Sequence, residues 1–352
     1  MHYKYKYVSH DIEKLQVYID YIFNELWCKA SSRPYDISLF DGNSELKEII
    51  IDFHYSQTKW GDFFVAKIEE IYTIFQTLSP DQINKLKKWY EANNDIEKLC
   101  SKDLSVIPVT YKELRSFNES LANKLELFYK NLYNHDFLSL KALKAKIKEL
   151  DGHYDLFMTH NKRKVCPYCG LHEMKGVYHS KREAYDHYLP KDIYPFNSIN
   201  LKNLAPACNE CNSPYKAGKD PLHDNAQNRR KAFYSYSSEE PEISLELEIN
   251  KNDIGNLKPE DIDLKFKSNK HNEEIETWKE IFGIEERYKA KCTGETAKYW
   301  ESQILDEMSE KGIDPHEALE KLKRQALKFP YQEANFLKIP FLEACERKKL
   351  FK

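Results

Sequence analysis

The sequence has no apolar run long enough to cross a bilayer: "EIIIDF" and "FFVA" stop after a few residues, whereas a spanning helix needs about 20. Its basic opening, MHYKYKYVSH, leads into no apolar segment of the kind an export signal carries. Net charge is nearly absent, 54 Lys and Arg against 57 Asp and Glu for a formal −3, so the global field gives no reason to expect a nucleic-acid or membrane partner. Internal repeats and low-complexity linkers are also missing. A chain of this size without an export signal leaves little role for a disulfide framework, although eight cysteines are present. These absences lead to the expectation of a soluble, cytoplasmic protein with no membrane partner.

What is there is enough for real cores: 41% apolar and 13% aromatic residues over 352 positions, two or three domains' worth of chain. Residues 1–150 read as helical. Ser79-Pro80-Asp81-Gln82 and Thr110-Tyr-Lys-Glu113 are capping boxes, and Leu114, Phe117, Leu121, Leu125, Phe128 and Leu132 recur at steps of three and four, one face of a helix packed in a bundle. From Asn161 to about Lys231 the texture turns to Pro, Asn, Gly, Cys and His with little periodicity, a compact site-bearing module over 155–235. Beyond it, over 236–352, Ile243, Leu245, Leu247 and Ile249 alternate with polar residues, as do Ile262, Leu264 and Phe266, predicting two half-buried strands. Helices follow, marked by Ile275, Trp278, Ile281 and Phe282, a stop at Gly312 and a start at Asp314-Pro-His-Glu317. The expected class is α+β, with helical arms flanking the central module and a small β-hairpin after it.

Four cysteines, Cys28, Cys100, Cys292 and Cys345, are scattered and read as small buried hydrophobes. The other four form two Cys-x-x-Cys pairs, Cys166/Cys169 and Cys208/Cys211, with 38 residues between them. Two such knuckles are the spacing of a closed, tetrahedral Zn²⁺ site, which stabilises and does not catalyse. His172, three residues past Cys169, is an alternative ligand that four cysteines make unnecessary.

Between the pairs lie Asp186-His187 in "DHYLP", then Asn203 in "NLAPAC", then Asn212 after "CNEC", then Lys216 and Lys219. Over about 50 of the 352 residues this order resembles the HNH endonucleases, whose ββα-metal site carries an Asp-His on a first strand, an Asn at the second and a His or Asn on the following helix. The resemblance implies a phosphodiester hydrolase in which His187 takes a proton from water and Asp186 and Asn212 offer oxygen to a catalytic Mg²⁺ or Mn²⁺. Asn203, by the same resemblance, fixes the loop that aims His187, and the cysteines are the clamp. One difficulty is geometric: neighbours on a regular strand point to opposite faces, so Asp186 and His187 share a site only at a strand end or bend, which the Tyr-Leu-Pro that follows is expected to provide.

Local charge supports the reading. Between Asn161 and Lys231 thirteen Lys/Arg stand against seven Asp/Glu, about +6 in a chain whose remainder is about −9. Lys162-Arg163-Lys164, Lys216, Lys219 and Arg229-Arg230-Lys231 are candidate phosphate contacts, which position a duplex without reading it. His179 and His223 are weaker candidates. The helical flanks are similar to those of HNH subunits of bacterial anti-phage systems such as the Septu type, in which the nuclease works with an ATPase. That likeness implies double-stranded DNA as substrate and an ATPase partner, with a homodimer left open. The competing readings are a zinc-clamped nucleic-acid-binding or scaffold protein that does not cut, and a nuclease that cuts RNA such as tRNA.

Overall fold

The computed structural model describes residues 1–351. The N-terminal arm is helical, and its helices start where side chains can replace missing backbone partners. Ser79 caps Pro80–Asn94 and Thr110 caps Tyr111–Phe117, each in a reciprocal box with Gln82 or Glu113. The apolar stripe expected to be one helix is two. Asn118 is extended (φ −158°, ψ 104°); its N–H closes Tyr111–Phe117 on the Leu114 carbonyl, and its side chain opens Glu119–Leu132 by accepting from the Leu121 N–H. A side chain able to cap thus interrupts a periodicity that would otherwise run on. Leu114, Leu121, Leu125, Phe128 and Leu132 remain buried, while Phe117 lies at the margin against Trp89.

The central module is built on two short strands. β1 (Tyr185–His187) pairs antiparallel with β2 (Leu204–Pro206), Asp186 opposite Ala205 and His187 opposite Leu204. A wide helical turn, Cys211–Lys216, follows, closed by an i→i+5 bond from the Ala217 N–H to the Asn212 carbonyl. The start of the chain, assigned by sequence to the helical arm, packs on this module: the Tyr3 N–H donates to Pro167 and the Tyr5 N–H to Ser235.

The hairpin forms as expected. β3 (Ser244–Ile249) and β4 (Ile262–Lys267) pair antiparallel, with Leu245, Leu247 and Ile249 buried and Glu246 and Glu248 paired outside with Lys267 and Lys265. The helix Asn335–Arg347 lies against β3, Arg347 donating to the Leu247 carbonyl at 2.7 Å. Before it, Asn272–Phe282 and Ile284–Lys291 meet at Gly283, which is left-handed (φ 58°) and so close to the Tyr215 ring that a Cβ would stand 2.4 Å from it. Buried apolar residues from both arms and the module form one connected cluster. Among the described residues no helix is long and apolar enough to cross a membrane.

Candidate functional site

The thiol quartet assembles first. Between Cys166 and Cys169 the chain turns tightly, the Gly170 N–H returning to the Cys166 carbonyl at 2.8 Å with Gly170 left-handed at φ 67°. On the other side the Asn212 N–H bonds the Cys208 carbonyl, one helical turn that brings Cys208 and Cys211 to the same face. All four side chains are buried, none is disulfide-bonded, and their sulfurs lie within 4.8 Å of one another. A tetrahedron with Zn–S bonds of 2.3 Å has edges of about 3.8 Å, and Cys169 and Cys208 Sγ stand 4.0 Å apart. The four cysteines could therefore hold a zinc ion. Sequence reasoning missed Arg287, on the Ile284–Lys291 helix, which donates to Cys211 Sγ at 3.2 Å and offsets part of the anionic charge such thiolates would carry.

His187 sits at the end of β1, half-buried, its ring edge-on to Tyr133 with centroids 4.7 Å apart. Its Nε2 lies 2.9 Å from the Ser198 carbonyl. A carbonyl only accepts, so Nε2 carries the hydrogen and Nδ1 of the neutral ring keeps a basic lone pair. Burial, then the nearby Lys191 ammonium, push the pKa down to about 3, so the ring is neutral at cellular pH.

The N-terminal arm fixes this pose. Ser198 Oγ donates to the Tyr129 carbonyl at 2.6 Å, Asn197 to Asn93 at 3.1 Å, and Asn200 to the Asn94 side chain at 3.0 Å. Phe196, fully buried with a φ of 80° that a bulky side chain rarely adopts, is held there by the Phe23, Tyr90 and Tyr129 rings. Asn203, in the turn just before β2, closes the same loop: its Oδ1 accepts from the Leu189 N–H at 2.7 Å, and its Nδ2 donates to the Leu189 carbonyl at 3.0 Å and to Asn197. Asn203→Ala would leave the two buried Leu189 backbone groups without partners, a loss of about 2–4 kcal/mol. Urea melts of the two proteins should show it; equal midpoints would mean that the loop stands without Asn203.

The shared site expected of Asp186 and His187 does not form: although His187 ends the strand, Asp186 points the other way, as strand geometry dictates. It is 2% exposed and its Oδ1 accepts from Lys216 Nζ at 2.8 Å; the same ammonium donates to the His187 carbonyl at 2.8 Å. Asp186 Oδ2 is buried with no partner. Burial raises the Asp186 pKa and the Lys216 charge opposes that rise. Asn212 is half-buried, and among the described residues its side chain makes no hydrogen bond.

The expected phosphate contacts need correction. Lys216 is fully buried on Asp186; it is no surface cation. Arg230 is buried against Glu280 and the Asp220 carbonyl, and Arg229 donates to the Leu99 and Leu222 carbonyls. In each case an acceptor within the protein takes the charge that composition assigned to phosphate. Lys164 and Lys219 are exposed, although Lys219 also reaches the Glu280 carbonyl at 3.3 Å. His172 and His179 are exposed, whereas His223 bonds Asp220 and Tyr194. Lys191, overlooked within the same "DHYLPK" stretch, lies over the Tyr133 ring, and burial lowers its pKa.

The neutral state of His187 has a measurable consequence. Above pH 6.5 the ring is neutral whether folded or not; as pH falls from 6.5 towards 3 the unfolded chain alone takes up the proton. Stability then drops by about 1.4 kcal/mol per pH unit through this group. Between pH 7 and 5.5 the wild type should lose about 1 kcal/mol more than His187→Gln in denaturant titrations. Parallel losses would show the ring to be solvated.

Comparison with known proteins matches no family and no solved structure to this chain. Over 69 residues the sequence is 41% identical to the Septu protein PtuB of Bacillus thuringiensis, a stretch covering 20% of this chain and 23% of that protein. The chain is thus similar to a Septu protein over less than a quarter of that relative's length.

Proposed function

We propose that this protein is an HNH-type endonuclease that hydrolyses phosphodiester bonds in DNA and serves as the effector of a bacterial anti-phage system. The observation that carries the reading is the His187 pose: Nε2–H committed to a backbone carbonyl, Nδ1 left as a base, on the first strand of a hairpin tied by Asn203 and followed by a thiol knuckle. Nδ1 would take a proton from water as it attacks phosphorus and the 3′ oxygen departs. A pKa near 3 makes the free ring a weak base; an anionic phosphodiester drawn beside Lys191 would counter that ammonium and raise the basicity. Lys164 and Lys219 are the exposed cations that would meet the backbone.

The zinc clamp fits the residues present, four buried thiols with Arg287 beside them, and would hold the hairpin and the following turn together without touching substrate. The catalytic Mg²⁺ or Mn²⁺ that the resemblance implies does not fit the side chains as they stand, because the Asp186 carboxylate is already paired with a buried ammonium. No step is assigned to that ion. The partial similarity to the Septu protein supports the defence role, and the ATPase partner is what the resemblance of the helical flanks implies.

Supercoiled plasmid, linear duplex and total tRNA, incubated with wild type and with His187→Ala in the presence and absence of Mn²⁺, test the proposal. Nicked or linear plasmid from the wild type alone is expected. Cut tRNA with intact plasmid would reassign the substrate, and cleavage by both proteins would remove His187 from the chemistry.

A further inference from the structure

The Asp186–Lys216 pair is a costly feature of the module. Taking a carboxylate and an ammonium out of water costs several kcal/mol each, and well-packed apolar residues often serve as well or better. Here the side chains are 3% and 1% exposed, and the pair is not even complete. Lys216 Nζ is held by two oxygens, Asp186 Oδ1 and the His187 carbonyl, each at 2.8 Å, while Asp186 Oδ2 stays buried and unpartnered. A carboxylate and a carbonyl oxygen converging on one positive centre are the hard donors a divalent cation takes. The ammonium stands where that donor set would place the ion, and it satisfies one carboxylate oxygen of two.

The backbone is built to deliver it. Between Cys211 and Lys216 the chain makes a π-type turn, with Pro214 inside it and the Ala217 N–H reaching back five residues to the Asn212 carbonyl. Such one-residue expansions of a helix are uncommon and concentrate at functional sites. The turn is rooted at Cys211 in the thiol quartet. At its far end the Tyr215 ring is packed on Gly283 and covered by the Arg287 guanidinium, 4.6 Å from the ring centroid. Lys216 is therefore held in place by the C-terminal arm as well as by its own charge.

We propose that Lys216 is a resident cation that competes with a divalent metal ion for Asp186, so that the metal enters this site only by displacing the ammonium. The proposal rests on the nuclease reading of the module and adds to it a built-in competitor for the metal. An ammonium held by a carboxylate and a carbonyl must leave before Mg²⁺ or Mn²⁺ can take those oxygens, and the resulting like-charge conflict weakens metal binding.

Mn²⁺ binding followed by electron paramagnetic resonance on the full-length, zinc-loaded protein tests this without recourse to activity. Lys216→Met should bind one Mn²⁺ at least about tenfold more tightly than wild type, a gap of about 1.4 kcal/mol, and adding Asp186→Asn should abolish the gain. Equal affinity in wild type and Lys216→Met overturns the proposal, as does tight binding that survives Asp186→Asn. Because Lys216→Met leaves a buried carboxylate unpaired and could unfold the module, a second measurement uses the wild type alone. Amine acetylation read by peptide mass should find Lys216 protected without metal and reactive as Mn²⁺ is added; protection that persists throughout the titration overturns the proposal. Plasmid cleavage is scored separately. Tighter Mn²⁺ binding without cleavage by either protein keeps the competition and removes the nuclease, whereas cleavage with unchanged Mn²⁺ affinity does the reverse.

Discussion

Cys208→Ser is expected to release zinc and to remove the cooperative melting of the central module. Structural zinc contributes about 10–16 kcal/mol of apparent binding energy in small zinc-dependent folds, and that energy is folding energy. A whole domain is stable by only about 5–15 kcal/mol, so the loss cannot be absorbed locally. Nor is the knuckle isolated from the rest: the Tyr168 carbonyl accepts from Trp278, the Cys169 carbonyl from Tyr288 at 2.8 Å, and the Pro167 carbonyl from the Tyr3 N–H at 3.1 Å. The N-terminal segment and the helices Asn272–Phe282 and Ile284–Lys291 are thus fastened to residues 166–169, and the damage should spread into the arms. Zinc analysis together with circular dichroism melting reads the effect. Cys292→Ala, which removes a buried thiol outside the quartet, supplies the control and should cost only about 1–2 kcal/mol. If Cys208→Ser lacks zinc and yet melts like the wild type, the four thiols are merely small buried side chains.

His187→Ala should lower plasmid cleavage by about 10²–10⁴-fold, the range a positioned general base contributes. The substitution also leaves the Ser198 carbonyl without its donor and opens space beside Tyr133, so a stability loss of about 1–3 kcal/mol accompanies it. A variant that stays folded keeps nearly its full active population despite that loss, so a melt that verifies the fold separates the two effects. His187→Gln, able to donate an amide hydrogen to the same carbonyl, should keep more of the stability and recover none of the activity. Cleavage at the wild-type rate by either variant would refute the assignment of the base.

The legible parts of this protein were those governed by neighbours within a few residues. Ser79 with Gln82 and Thr110 with Glu113 cap helices because the partner groups lie one turn away. Leu245, Leu247 and Ile249 face inward because a strand alternates with period two. The expectation that the strand end would bring Asp186 and His187 to one site failed because the same period holds there: one meets Lys216, the other Ser198 and Tyr133. Asn118 shows the limit at short range, where a side chain that satisfies the helix ends on either side outweighed an unbroken apolar stripe.

The cations were misread for a different reason. A lysine or arginine in a basic stretch carries no local sign of which acceptor packing brings to it: Lys216 meets buried Asp186, Arg229 the buried Leu99 carbonyl, and Arg230 is drawn in against Glu280 and the Asp220 carbonyl.

By itself the sequence determined the two cysteine pairs, the order of Asp186, His187, Asn203 and Asn212, the helix starts and the hairpin, since each depends on spacing along the chain. Tertiary structure alone decided that Arg287 meets Cys211 from 76 residues away, that the Tyr129 carbonyl anchors the loop holding His187, and that Lys216 turns inward onto Asp186. Buried charges and polar groups must find partners wherever packing brings them, and no periodicity along the chain records which partner that is.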